Sequence, residues 1–101
     1  MVKQALSSTE TLAVLREHKP MLAERFGVVE LALFGSTVRD EAGPDSDVDI
    51  LVSLDDRPGW TRFFDVQRYL EEALGRPVDL VVERALRAEL RPLIEAEAIR
   101  V

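Results

Sequence analysis

The chain has 101 residues, 47% of them hydrophobic and 32% charged, which is material for one compact domain spanning residues 1–101 and little more. Its 13 basic residues against 19 acidic ones leave a formal charge of -6, which argues against direct nucleic-acid binding, where a basic stripe replaces phosphate counterions, but does not forbid a small nucleotide. No cysteine and a single histidine exclude disulfide frameworks, thiolate metal sites and most zinc sites, and suit a reducing cytoplasm.

The opening residues Met1 to Ser7 contain no apolar stretch of signal-peptide length, and no later window approaches the roughly 18 apolar residues of a membrane span. Ser7-Ser8-Thr9-Glu10 has the form of a capping box, and Leu12, Leu15, Leu22 and Phe26 follow near helical spacing, so a first helix is predicted. Pro20 should kink or split it, and Gly27 suits the position just past its end. Val28 to Phe34 is β-branched-rich and stopped by Gly35, which predicts a strand. Gly43-Pro44-Asp45-Ser46 marks a loop, while Thr37 to Glu41 has room for one helical turn.

A second strand is predicted over Val48 to Leu54. Val48, Ile50, Val52 and Leu54 share one face, which sends Asp47, Asp49, Leu51 and Ser53 to the other. Trp60, Phe63, Val66, Leu70 and Leu74 form a helical stripe closed by Gly75, so a second helix is expected from Trp60 to Leu74. The strand Val78 to Val82 again sets an aspartate, Asp79, against its apolar face. Leu86, Leu90, Leu93 and Ile94 predict a last amphipathic helix with Pro92 at a kink or near an end, and Ile99 to Val101 an edge strand.

If the second and third predicted strands are neighbours, Asp47, Asp49 and Asp79 cluster. Like charges that close raise one another's pKa and cost stability unless a hard cation sits among them, and oxygen-only ligands favour Mg²⁺ or Mn²⁺. Such a set can hold two metals across an in-line phosphoryl displacement. Gly35-Ser36, directly after a strand, offers backbone amides and a hydroxyl for phosphate, aided by the dipole of any helical turn that follows. Arg39 either binds phosphate or pairs with an acidic loop residue.

Taken singly, these features are ordinary: exposed aspartates are commonplace on sheets, and Gly-Ser is a common turn. An EF-hand reading of Asp45-x-Asp47-x-Asp49 fails because Ile50 occupies the glycine position and Asp56 the twelfth. The phosphate loops G-x-x-x-x-G-K-[ST] and G-x-G-x-x-G are absent. His18 lies on a helix remote from the motif and reads as a solvated surface residue. Aromatic residues at helical spacing, here Trp60, Phe63, Phe64 and Tyr69, are more often core than partner interface.

Phe34-Gly35-Ser36, ten residues, Asp47-Val48-Asp49 and a later strand aspartate together resemble the nucleotidyltransferase signature of the polymerase β superfamily. The short length and the stretch Leu33-Phe34-Gly35-Ser36-Thr37-Val38-Arg39 resemble the minimal nucleotidyltransferase (MNT) family, antitoxin partners of HEPN-domain toxins. The sequence departs from that pattern at Asp40, where glycine follows the arginine in many relatives. The resemblance implies an α/β (α+β) fold, a small mixed β-sheet with helices packed on one face. It implies that Gly35 and Ser36 hold the β and γ phosphates of ATP, that Asp47 and Asp49 bind two magnesium ions, and that Asp79 is the third carboxylate, ligating the catalytic metal and helping to deprotonate an acceptor hydroxyl.

In the resembled family the acceptor is a tyrosine of the HEPN toxin, a ribonuclease silenced by AMP transfer. A module this small has no second domain with which to enclose an acceptor, which disfavours a small-molecule substrate such as an antibiotic. The rival expectation is a non-catalytic antitoxin that neutralises its toxin by direct binding, for which an acidic surface is suited to a basic RNA-binding face.

Overall fold

Ser7 opens the first helix as its spacing predicts. Its hydroxyl accepts from the Glu10 amide and the Glu10 carboxylate accepts from the Ser7 amide, each at 3.1 Å, so two amides that a helix start leaves over are satisfied reciprocally. In the computed structural model, which describes residues 7–101, helix α1 runs over Ser8–Phe26 and closes on Gly27, whose amide donates to the Ala23 carbonyl. The reading of residues 1–6 for a leader lies outside the described residues. Pro20 does not split the helix: α1 is continuous over 19 residues. Pro20 and Arg16, whose carbonyl it leaves without a helical donor, are both exposed, and Leu15 and Leu22 on either side are fully buried and hold both halves on the sheet.

The three long strands fall where alternation places them, β1 at Val28–Phe34, β2 at Val48–Leu54 and β3 at Val78–Val82, with a short β4 at Ile99–Arg100. The sheet order is β3-β2-β1-β4. β1 pairs antiparallel with both β2 and β4, whereas β2 and β3 are parallel, joined by the crossover helix α2 over Arg62–Leu74. The sheet is therefore mixed, and α1 and α2 cover one face of it. Leu12, Leu15 and Leu22 of α1 and Val66, Leu70 and Leu74 of α2 pack on Leu31, Leu33, Val48, Ile50, Val52, Val78 and Leu80; each fully buried leucine contributes about 2 kcal/mol. No described helix is long and apolar enough to cross a membrane.

Four details depart from the pattern. α2 begins at Arg62, not Trp60, which stands 91% exposed. Arg62 sets that start: its guanidinium donates to the Asp55 carboxylate at 2.7 Å and to the Phe26 carbonyl at 3.1 Å, which ties α2 to the end of α1. Leu51 and Ala32 are buried but belong to the opposite sheet face, so that face is not fully solvated; the segment Glu83–Ala85 lies against β2. The last helix is shorter than its apolar spacing predicts: α3 spans only Arg91–Glu97, with Pro92 in its first turn, where a missing amide costs nothing, and none of its residues is buried. His18 is half-buried rather than solvated, its Nδ1 2.8 Å from the Tyr69 hydroxyl.

Candidate active site

Strand register builds the site. The antiparallel β1–β2 pair sets Phe34 opposite Asp49, and the parallel β2–β3 pair sets Asp49 opposite Asp79. Because Val48 and Ile50 are buried in the core, Asp49 points to the other face. The chain leaves β1 at Gly35 with φ +79, and a Cβ placed there would lie 2.1 Å from the Asp49 Oδ2 atom. Only glycine allows both the left-handed turn and this approach. Gly35, Asp49 and Asp79 are thus brought together across three adjacent strand positions.

The loop that returns to Asp47 is held at several points. The expected helical turn at Thr37 to Glu41 is instead a three-residue 3-10 turn at Gly35–Thr37, followed by a bond from the Glu41 amide to the Ser36 carbonyl at 2.9 Å. Three residues carry too small a dipole to attract phosphate, so anion affinity here rests on individual donors. Asp40 takes the left-handed conformation, φ 55. Its carboxylate accepts from the Ser8 amide at 2.8 Å and the Ser8 hydroxyl at 3.1 Å, which offsets the backbone cost and anchors the loop on the start of α1. Further along, the buried Arg76 donates to the Pro44 carbonyl at 2.6 Å and the Val48 amide to the Pro77 carbonyl at 3.0 Å. Asp47, exposed and one residue before β2, is thereby fixed beside Asp49.

The Asp49 carboxyl is pushed up to about 6, first by burial, then by the charge of Asp79 and a hydrogen bond with it, and further by the charges of Asp47 and Glu97. Crowding of this kind makes Asp49 hold its proton more tightly. Among the described residues no three carboxylates form a ready-made metal cluster. The donor chemistry nonetheless fits a hard divalent ion, which would relieve the repulsion around Asp49.

One residue of the site was not foreseen. Glu97, at the end of α3, accepts from the Gly35 amide at 2.8 Å through Oε1 and from Arg39 Nη1 at 2.7 Å through Oε2. Arg39 also bonds the Glu41 carboxylate at 3.2 Å, so of its two expected roles the acidic pairing is the one present. Nothing in the local sequence flags Glu97, which lies 62 residues from Gly35 and belongs to no spacing motif.

A strand-end glycine is thus packed against one of two paired aspartates, with a third at the loop mouth, at one end of a mixed four-stranded sheet. The family profile described as nucleotidyltransferase domain matches residues 15–101, and the chain belongs to that family. Among named relatives it is 43% identical, over 95% of this chain and 97% of the relative, to protein adenylyltransferase MntA of Thermococcus cleftensis. It is 40% identical, over 78% of this chain and 81% of the relative, to a Methanocaldococcus jannaschii protein named as a protein adenylyltransferase. A solved minimal nucleotidyltransferase superposes with a TM-score of 0.79 at 38% identity, covering 95% of this chain and 97% of that one. The fold is shared with a chain of a toxin-antitoxin structure containing AMP-PNP, with a TM-score of 0.65 at 24% identity over 94% of this chain and 72% of that one.

Proposed function

We propose that the protein transfers AMP from ATP to a hydroxyl, a tyrosine's, on a HEPN-domain toxin, and acts in the cytoplasm as the antitoxin of the pair. The observation that carries this reading is the approach of Gly35 to Asp49, which is itself in register with Asp79. The Gly35 amide, the Ser36 hydroxyl and Arg39 hold the β and γ phosphates of ATP. Asp47, Asp49 and Asp79 are the residues that would hold two magnesium ions, which would stabilise charge developing in an in-line displacement.

Asp79 takes the proton of the acceptor hydroxyl at its carboxylate. The acceptor oxygen forms its bond to the α-phosphorus as the bond to the bridging oxygen breaks and pyrophosphate leaves. Most of the acceleration comes from holding these groups in line. Asp79 is exposed and Asp47 stands at the loop mouth, so the acceptor must arrive on a surface of its own, which suits a protein side chain. The relative named protein adenylyltransferase, 43% identical, supports a protein as the acceptor.

The test is to incubate the protein with Mg²⁺, its HEPN partner and ATP labelled on the α-phosphate. Label on the partner, absent with γ-labelled ATP and lost in Asp47→Asn with Asp49→Asn, is expected; transfer retained by the folded double variant refutes the assignment. The net charge of -6 favours a second reading, neutralisation by binding alone. That reading requires stoichiometric protection of RNA indifferent to ATP, where transfer predicts substoichiometric, ATP-dependent protection.

A further inference from the structure

Glu97 presents two carboxylate oxygens to two of the three donors that the proposed nucleotide site offers to phosphate. Oε1 accepts from the Gly35 amide at 2.8 Å and Oε2 from Arg39 at 2.7 Å, the paired geometry in which guanidinium and amide groups bind phosphate oxygens. The charge of Glu97 also bears on Asp49. A phosphate and this carboxylate cannot share the same donors, because each is an anion and each would leave the other without a partner.

The helix that carries Glu97 is lightly packed, although the chain beyond it is tied into the sheet by β4 pairing with β1. α3 has seven residues and buries none. Apart from Glu97, its side-chain hydrogen bond to other elements among the described residues is from Arg91, which donates to the Glu83 carbonyl at 3.0 Å. The carboxylate can therefore leave the site without dismantling any of the core. We infer that Glu97 is a resident, displaceable occupant of the phosphate site, setting nucleotide affinity by competing with ATP for the Gly35 amide and Arg39. The inference rests on the nucleotide site proposed above and adds to it a residue that opposes binding.

The experiment is calorimetric titration of AMP-PNP, with Mg²⁺ present, into the full chain and into Glu97→Gln, Glu97→Ala and Glu95→Gln. Glu95 is on the same helix and carries the same charge but pairs with Arg91, so its variant controls for general loss of negative charge. Both Glu97 variants are expected to bind about three- to tenfold tighter, the factor that follows when the closed form holds roughly 70–90% of molecules, with Glu95→Gln within about twofold of the parent. Unchanged or weaker binding by the Glu97 variants overturns the inference while leaving the nucleotide site standing. Failure of every chain, parent included, to bind AMP-PNP overturns the nucleotide site itself and the inference with it. Hydrogen exchange separates displacement from simple repulsion: AMP-PNP should raise exchange across Arg91–Glu97 in the parent, and tighter binding by the variants with no such rise overturns displacement.

Discussion

Replacing Gly35 by alanine tests the geometry of the site with no change of charge. Two costs add. An alanine at φ +79 occupies left-handed space, at about 1–2 kcal/mol. Its Cβ would also lie 2.1 Å from Asp49 Oδ2, 2.9 Å from Asp49 Cγ and 3.1 Å from Asp49 Cβ, so the whole carboxyl must move off its strand position, an overpacking cost of about 1–3 kcal/mol. The sum is about 2–5 kcal/mol, which at an m-value of about 1 kcal/mol per molar lowers the urea midpoint by about 2 M or more.

Gly75 supplies the control, since it has φ +68 but nothing within 4 Å of an added Cβ; Gly75→Ala should cost only the conformational part, about 1–2 kcal/mol. The steric part should be recovered when Asp49 is shortened, so the cycle of Gly35→Ala with Asp49→Ala should show a coupling of about 1–3 kcal/mol. Equal costs at Gly35 and Gly75, together with a coupling below about 0.5 kcal/mol, would refute the close approach on which the site is built.

The raised Asp49 carboxyl, about 6 against an ordinary 3.8, means that the folded chain binds this proton more tightly than the unfolded one. Stability should therefore fall as pH rises from about 4 to about 6, by about 1 kcal/mol once solvent screening of this half-buried group is allowed for; urea midpoints across that range should show a slope that Asp49→Asn flattens. Addition of Mg²⁺ at neutral pH should raise the melting temperature of the parent and leave that of Asp47→Asn with Asp49→Asn unmoved. Asp40→Ala loses both bonds to Ser8 while keeping the left-handed backbone, and should cost about 2 kcal/mol by thermal denaturation, whereas Asp40→Gly removes the backbone strain and should cost less. Trp60→Ala should leave stability within about 0.5 kcal/mol and Leu70→Ala should cost about 2–5 kcal/mol, measured in the same urea series.

Much of the site was legible because it is written in strand alternation. Asp49 and Asp79 each interrupt an apolar period-two pattern, so knowing only that the two strands are neighbours puts their carboxylates on one face. The turn at Gly35 was legible for a similar reason, as a glycine stopping a β-branched run. What escaped was whatever depends on distant residues meeting. Glu97 reaches Gly35, Asp40 reaches Ser8 and Arg76 reaches Pro44, and no periodicity links the members of these pairs. The start of α2 was misjudged for the same reason: an apolar stripe reaches back to Trp60, but the clasp of Arg62 on Asp55 and Phe26 decides where the helix begins.

The direction of the crossover has an electrostatic consequence. Asp49 and Asp79 lie at the starts of the parallel strands β2 and β3, and α2 runs the opposite way, so its carboxyl end, at Leu74, arrives on the same side as the site. There the Glu71 carboxylate accepts from the Val78 amide at 3.0 Å. Folds that cradle phosphate on a helix amino end draw on the positive pole of the helix dipole. Here α2 offers its negative pole alongside three aspartates, while the amino end of α1 is taken up by the Asp40 carboxylate, which accepts from the Ser8 amide. A triphosphate approaching this edge of the sheet meets the carboxyl end of α2 as well as the aspartate side chains, and counter-charge has to be brought in with it. Nucleotide affinity should accordingly be governed by the supply of divalent cation to a degree that a helix-capped phosphate site would not show.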